Sequence, residues 1–128
     1  MSIRDAIFTR LSGYSGLTAL NVKVYSKTVP QRPALPCVFF EINGITRIGG
    51  LNNDTGKALA RIRVISIDQT LDDADTVARQ VRACLQRYTG TDASITIYDV
   101  TIEDEGDTYY DDLNQAHIEQ EFTVSYEE

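Results

Sequence analysis

The side chains able to do chemistry are few, and their spacing does not suit it. The chain holds one histidine, His117, and two cysteines, Cys37 and Cys84. A zinc site needs several Cys, His or carboxylate groups converging at fixed spacing, and two cysteines 47 positions apart with a lone imidazole do not supply it. His117 stands at the start of a strand-like run with no Ser or Cys nucleophile motif beside it. It therefore reads as a solvated or hydrogen-bonded strand residue and not as a general base. Both cysteines lie in apolar sequence and are expected as buried free thiols, with a disulfide as the alternative. Gly49-Gly50 is followed by more loop residues and opens no helix, so no phosphate cradle is read there.

One constellation remains, the acidic tract Glu103, Asp104, Glu105, Asp107, Asp111 and Asp112. Its spacing does not match the EF-hand loop, and paired catalytic carboxylates require a cleft that enforces their separation. Read as a loop, the tract is expected to be a solvated acidic face. A wall that repels DNA and a metal site are the alternatives. Arg61 and Arg63 alternate with Ile62 and Val64, giving a strand with one basic face that is either solvated or set against an acidic neighbour. Tyr109 and Tyr110 are expected to anchor the acidic loop on a sheet edge, or else to make contacts, since tyrosine is favoured at interfaces.

Elements must position these groups, and composition bounds what they can build. With 128 residues, 42% hydrophobic and 24% charged, the chain fits one domain that buries roughly two-thirds of its unfolded surface. No run approaches the about eighteen apolar residues of a membrane span, and Arg4, Asp5 and Arg10 interrupt any signal-peptide core near the start. Neither membrane insertion nor export is expected. A net charge of −7 argues against gripping nucleic acid, because phosphate binding depends on clustered Lys and Arg.

Ser2 and Asp5 resemble a capping box, and Ile3, Ala6, Ile7 and Leu11 recur at helical spacing, predicting a helix over Ser2 to Ser12. Val22, Val24 and Val29 suggest a brief strand or extended arm. Pro30, Pro33 and Pro36 make the next stretch an extended connection. Cys37 to Asn43 and Ala60 to Asp68 read as strands. Between them, Gly44 to Gly56 reads as a long flexible hairpin arm. Thr70 and Asp73 offer a second capping box, after which Leu71, Ala74, Val77, Ala78, Val81, Leu85 and Tyr88 trace one apolar stripe toward Gly90. Strands are expected over Ser94 to Glu103 and His117 to Tyr126, with Ile118, Gln120, Phe122, Val124 and Tyr126 on one face. The expected class is α+β: a two-layer, largely antiparallel sheet of about five strands with two helices on one face, in the order α-β-β-β-α-β-β.

The order and spacing of these pieces resemble the tail-completion, or tail-terminator, family of long-tailed phages. Val24-Tyr25, Val29-Pro30-Gln31 and Leu35-Pro36-Cys37-Val38 resemble the first half of the family. Arg61-Ile62-Arg63-Val64 with the following helix resembles its middle, and Asp107 and Tyr109 before Phe122, Val124 and Tyr126 resemble its close. The family usually carries an aromatic residue where this chain has Cys37, and Arg where the last strand opens with His117. The resemblance implies a structural protein without catalytic residues or cofactors, made in the bacterial host cytoplasm and then built into the virion tail. It implies a ring of six copies on the head-proximal end of the tail tube, with tube protein and head-tail connector as partners. The expected self-contact residues are Gly49, Gly50, Leu51, Asn52, Asn53, Asp54, Arg61 and Arg63, and Asp104, Glu105 and Asp107 are expected to face the bore. A different head-tail connector or tail-tube component, or a small acidic ligand-binding domain, is the alternative.

Overall fold

The computed structural model describes residues 2–26, 33–49 and 54–128. Helix α1 (Ile3–Ser12) opens with both halves of the capping box: the Ser2 hydroxyl accepts from the Asp5 N–H, and the Asp5 carboxylate accepts from the Ser2 N–H at 3.0 Å. A short helix α2 (Ser15–Thr18) follows, then β1 (Lys23–Tyr25), β2 (Cys37–Gly49), β3 (Asp54–Asp68), α3 (Leu71–Leu85), β4 (Gly90–Asp92), β5 (Ile95–Tyr110) and β6 (Gln115–Glu127). The strands form one six-stranded sheet in the order β1-β2-β3-β6-β5-β4. Only the β1–β2 pairing is parallel. The α+β class stands, with one more short helix and one more short strand than the sequence predicts.

Period-two alternation decides which face is core. Rows across the sheet run Phe40, Val64, Gln120, Glu105 and then Ile42, Ile62, Phe122, Ile102. The inner members of these rows are buried against the helices, as are Ile118, Val124 and Tyr126 of β6. Helix α3 lays Ala74, Val77, Ala78, Val81, Cys84 and Leu85 on this face. Ala74 and Ala78 meet Ala116 and Ile118, small residues that allow close approach of helix and strand. The Arg10 guanidinium ties α1 to the end of α3: it lies 3.9 Å from the Tyr88 ring centroid and donates to the Cys84 carbonyl at 3.0 and 3.1 Å.

Three sequence expectations change. Helix α3 ends at Leu85 and does not reach Gly90, because Gln86 turns to ψ 123° and Arg87 takes φ 60°. Arg87 therefore lies past the helix, paired with Asp99 at 2.7 Å. The stretch from Gly44 does not open into loop: the ladder continues through bulges to Gly49 opposite Asp54. Residues 50–53, which include Gly50, Leu51, Asn52 and Asn53, lie outside the described residues. Lastly, Glu103 to Tyr110 is strand and not loop, paired with β6 as far as Tyr110 opposite Gln115. The cross-strand ladder overrides the weak β-propensity of its acidic residues.

Candidate assembly interface

The acidic tract is built on a strand, so alternation divides it. Asp104 lies opposite Glu121 on the helix-free face, whereas Glu105 lies opposite Gln120 and Asp107 opposite Ile118 on the helix side. Glu105 is held there: its carboxylate accepts from Gln120 Nε2 at 2.9 Å and lies 3.6 Å from Arg82 of α3. Gln120 is fully buried and also donates to the Ala78 carbonyl at 3.1 Å, tying the sheet to the helix. A bulge between Ile102 and Asp104 re-aims this half of β5. Asp111 and Asp112 sit in the turn after it.

That turn displays apolar surface. Tyr109, Tyr110 and Leu113 are exposed, Leu113 by 58%. Its shape is fixed by Tyr109 donating to Asn114 Oδ1 at 2.5 Å, by Asn114 at φ 54°, and by the Tyr110 ring packed edge-on to His117, centroids 4.5 Å apart. His117 is half-buried and lies 3.2 Å from Gln115 Oε1. Burial pulls its pKa below the ordinary value, with Glu119 opposing. Tyr109 and Tyr110 therefore belong to a formed hairpin end.

At the other end of the sheet, β2 and β3 form the second hairpin, with Ile45, Ile48 and Leu59 exposed. Arg47 pairs there with Glu128 of the C-terminal residues. Arg63 pairs with Glu41 and lies 3.7 Å from Glu119, all three about one-third exposed or more, so this cluster contributes no more than about 1 kcal/mol. Arg61 is exposed on the same helix-free face with its guanidinium over Gly44, where an added Cβ would lie 2.4 Å from Nη2. Among the described residues, then, Gly49, Arg61 and Arg63 lie on the paired part of the β2–β3 hairpin, and the backbone of Asp54 lies opposite Gly49.

Nothing among the described residues gathers three metal-binding groups. Cys37 and Cys84 are buried free thiols whose pKa burial pushes up to about 11 in each case. A shallow depression on the helix-free face is lined by Asn43, Arg61, Glu103 and Glu121. Residues that sequence reasoning passed over are the glycine and bulge positions that shape the edges, Gly44 and Asn43, and the exposed Leu113. An isolated leucine between two aspartates and an asparagine was the available signal for the last.

The model of the family described as tail completion protein gp17 matches residues 5–127. No curated protein matches the chain. A solved structure titled as the virion of a native gene transfer agent particle is similar in fold, with TM-score 0.71 and 14% identity, covering 99% of this chain and 96% of that one. A second solved structure gives TM-score 0.61 at 17% identity over 98% and 92%. With a family model spanning nearly the whole length, the chain belongs to the tail completion protein gp17 family of structural phage proteins.

Proposed function

We propose that the protein closes into a six-membered ring on the head-proximal end of the tail tube, ends tube growth, and offers its outer rim to the head connector. The observation that carries this reading is the polarity of the sheet. Its two long hairpins project from opposite ends, one mixed apolar and basic (Ile45, Arg47, Ile48, Leu59), the other aromatic and acidic (Tyr109, Tyr110, Asp111, Asp112, Leu113). A ring that joins two different neighbours along its axis needs two unlike rims, and a closed ring needs a heterologous contact between its own copies.

In this arrangement the helices form the outer layer and the helix-free face lines the bore. Asp104 then stands toward the channel with Glu41, Glu119 and Glu121, while Glu105 and Asp107 serve the helix side. The four carboxylates outnumber Arg61 and Arg63 on that wall, and its net negative charge keeps passing DNA from adhering. Synthesis in the host cytoplasm followed by incorporation into the tail is part of the same reading.

The test is assembly on tubes. The 14.3 kDa subunit mixed with purified tail tubes lacking it is expected to add a single ring at one end of each tube. Binding along tube walls, or no binding, would defeat the proposal.

A further inference from the structure

The ring needs a contact, and the sheet carries two unfinished edges on its opposite sides. On one side β1 covers β2 only at Cys37, Val38 and Phe39, and among the described residues no strand pairs with the outer edge of Phe40 to Thr46. On the other side β4 covers Ile95 to Ile97 of β5. Beyond it the loop after α3 occupies the edge, with the Arg87 N–H donating to the Val100 carbonyl at 2.7 Å and the Ile102 N–H donating to Gln86 Oε1 at 2.7 Å. From Glu103 to Tyr110, among the described residues, no strand pairs with the outer edge of β5. Open edges of this length invite another strand and are ordinarily blunted. Among the described residues only their ends are blunted.

Resting on the ring reading above, we infer that neighbouring copies join edge to edge, the free stretch of β2 in one copy pairing antiparallel with the free stretch of β5 in the next. The strand directions demand this sense: β2, β3, β6 and β5 alternate, so β2 and β5 run opposite ways and every pair around the ring is antiparallel. Charge selects unlike edges. The β5 stretch holds Glu103, Asp104, Glu105 and Asp107, which repel their own kind, whereas the β2 side presents the Arg61 guanidinium lying over Gly44.

Covered ends and face parity narrow the register. Keeping the β2 bulge at Asn43, side chains match face for face with Phe40 opposite Tyr109, Ile42 opposite Asp107, Ile45 opposite Glu105 and Thr46 opposite Asp104. Arg61 then reaches Asp104 of the neighbour across Gly44 and Gly106. Closure follows from the same register. Within one copy the row from Phe40 ends at Glu105, and pairing Glu105 with Ile45 of the next copy advances the row by four ladder steps. That is about 13 Å along strands rising about 3.3 Å per residue, for every four strands spaced about 4.8 Å apart. The resulting tilt is about 35°, at the edge of the roughly 35–45° that closed barrels hold.

The experiment uses tails assembled with a variant carrying Thr46→Cys and Asp104→Cys together. Opposed in the proposed register, the two positions have Cβ atoms about 4.5–5.5 Å apart between copies. Within one copy they are three strand spacings and four ladder steps apart, about 20 Å, too far to bridge. Mild oxidation of normal-length tails is expected to give a covalent ladder up to the complete ring, while Thr46→Cys with Thr108→Cys gives none. Normal-length tails without a ladder, or an equal ladder from the control pair, would overturn edge pairing and leave the ring reading standing. Loss of the wild-type protein from tail ends would overturn both. Should the cysteine variant not assemble, charge exchange decides: Arg61→Glu or Asp104→Arg alone is expected to lower ring yield at least fivefold and the two together to restore it. Failure of the double exchange to restore yield would count against the contact.

Discussion

Each of the titratable residues that drew attention first has a structural task. Burial raises both thiols to about 11, with Asp68 adding for Cys37 and Arg10 opposing for Cys84, so neither is a thiolate at neutral pH. Native protein is expected to leave a thiol reagent unreacted over the minutes in which denatured protein reacts at both cysteines; fast reaction of the folded chain would contradict the burial. His117 behaves as a pH lever of known sign. Its folded pKa lies below the ordinary 6.5 because burial disfavours the charged ring, so the unfolded chain takes up the proton first. This residue's contribution is intact above about pH 6.5 and is lost as pH falls through that value toward the lower folded one. His117→Gln is expected to flatten the loss of stability in that window, as read by urea midpoints at a series of pH values. Gln120 holds the sheet to α3 through Ala78 and Glu105. Its replacement by Ala is expected to cost about 2 kcal/mol in urea unfolding, combining a lost buried hydrogen bond with a small cavity.

The elements with strong periodicity declared themselves in sequence, and those that depend on a partner did not. Ala74, Val77, Ala78, Val81 and Leu85 of the α3 stripe are buried where the spacing puts them, while Leu71 is exposed and Tyr88 lies past the helix, and Thr70 caps α3, its hydroxyl accepting from the Asp73 N–H at 3.1 Å. Thr70→Ala is expected to lower stability by about 1 kcal/mol without changing the fold, measurable as a shift of the thermal midpoint. The β6 pattern was equally clear, with Ile118, Gln120, Phe122, Val124 and Tyr126 all buried. By contrast, Glu103 to Tyr110 looked like an acidic loop because its apolar residues are few and its strand character comes from β6, a partner far away in sequence. The continuation of β2 past Gly44 was hidden for the same reason. β4 has three residues, Gly90–Asp92, and its existence rests on pairing with β5. The end of α3 carries no sequence signal because Arg87 adopts a positive φ without a glycine to announce it.

At the scale of the molecule, the pieces add up to a subunit that is complete as a fold and unfinished as a surface. One sheet face is sealed by helices, the other carries mixed charge, and both long edges stop short of closure. The acidic residues that suggested a single lumen patch are shared between the two faces, Asp104 on the helix-free face and Glu105 and Asp107 on the helix side. Reversal of Glu119 and Glu121 to lysine in an assembled tail is expected to slow genome ejection, whereas reversal of Asp107 is not; equal rates for all would remove the charged-wall argument. The central claim is that the protein ends tail growth, and tail length tests it most directly. Particles made without this protein and viewed by electron microscopy are expected to show overlong tails detached from heads. Tails of normal length beside unjoined heads would contradict the account.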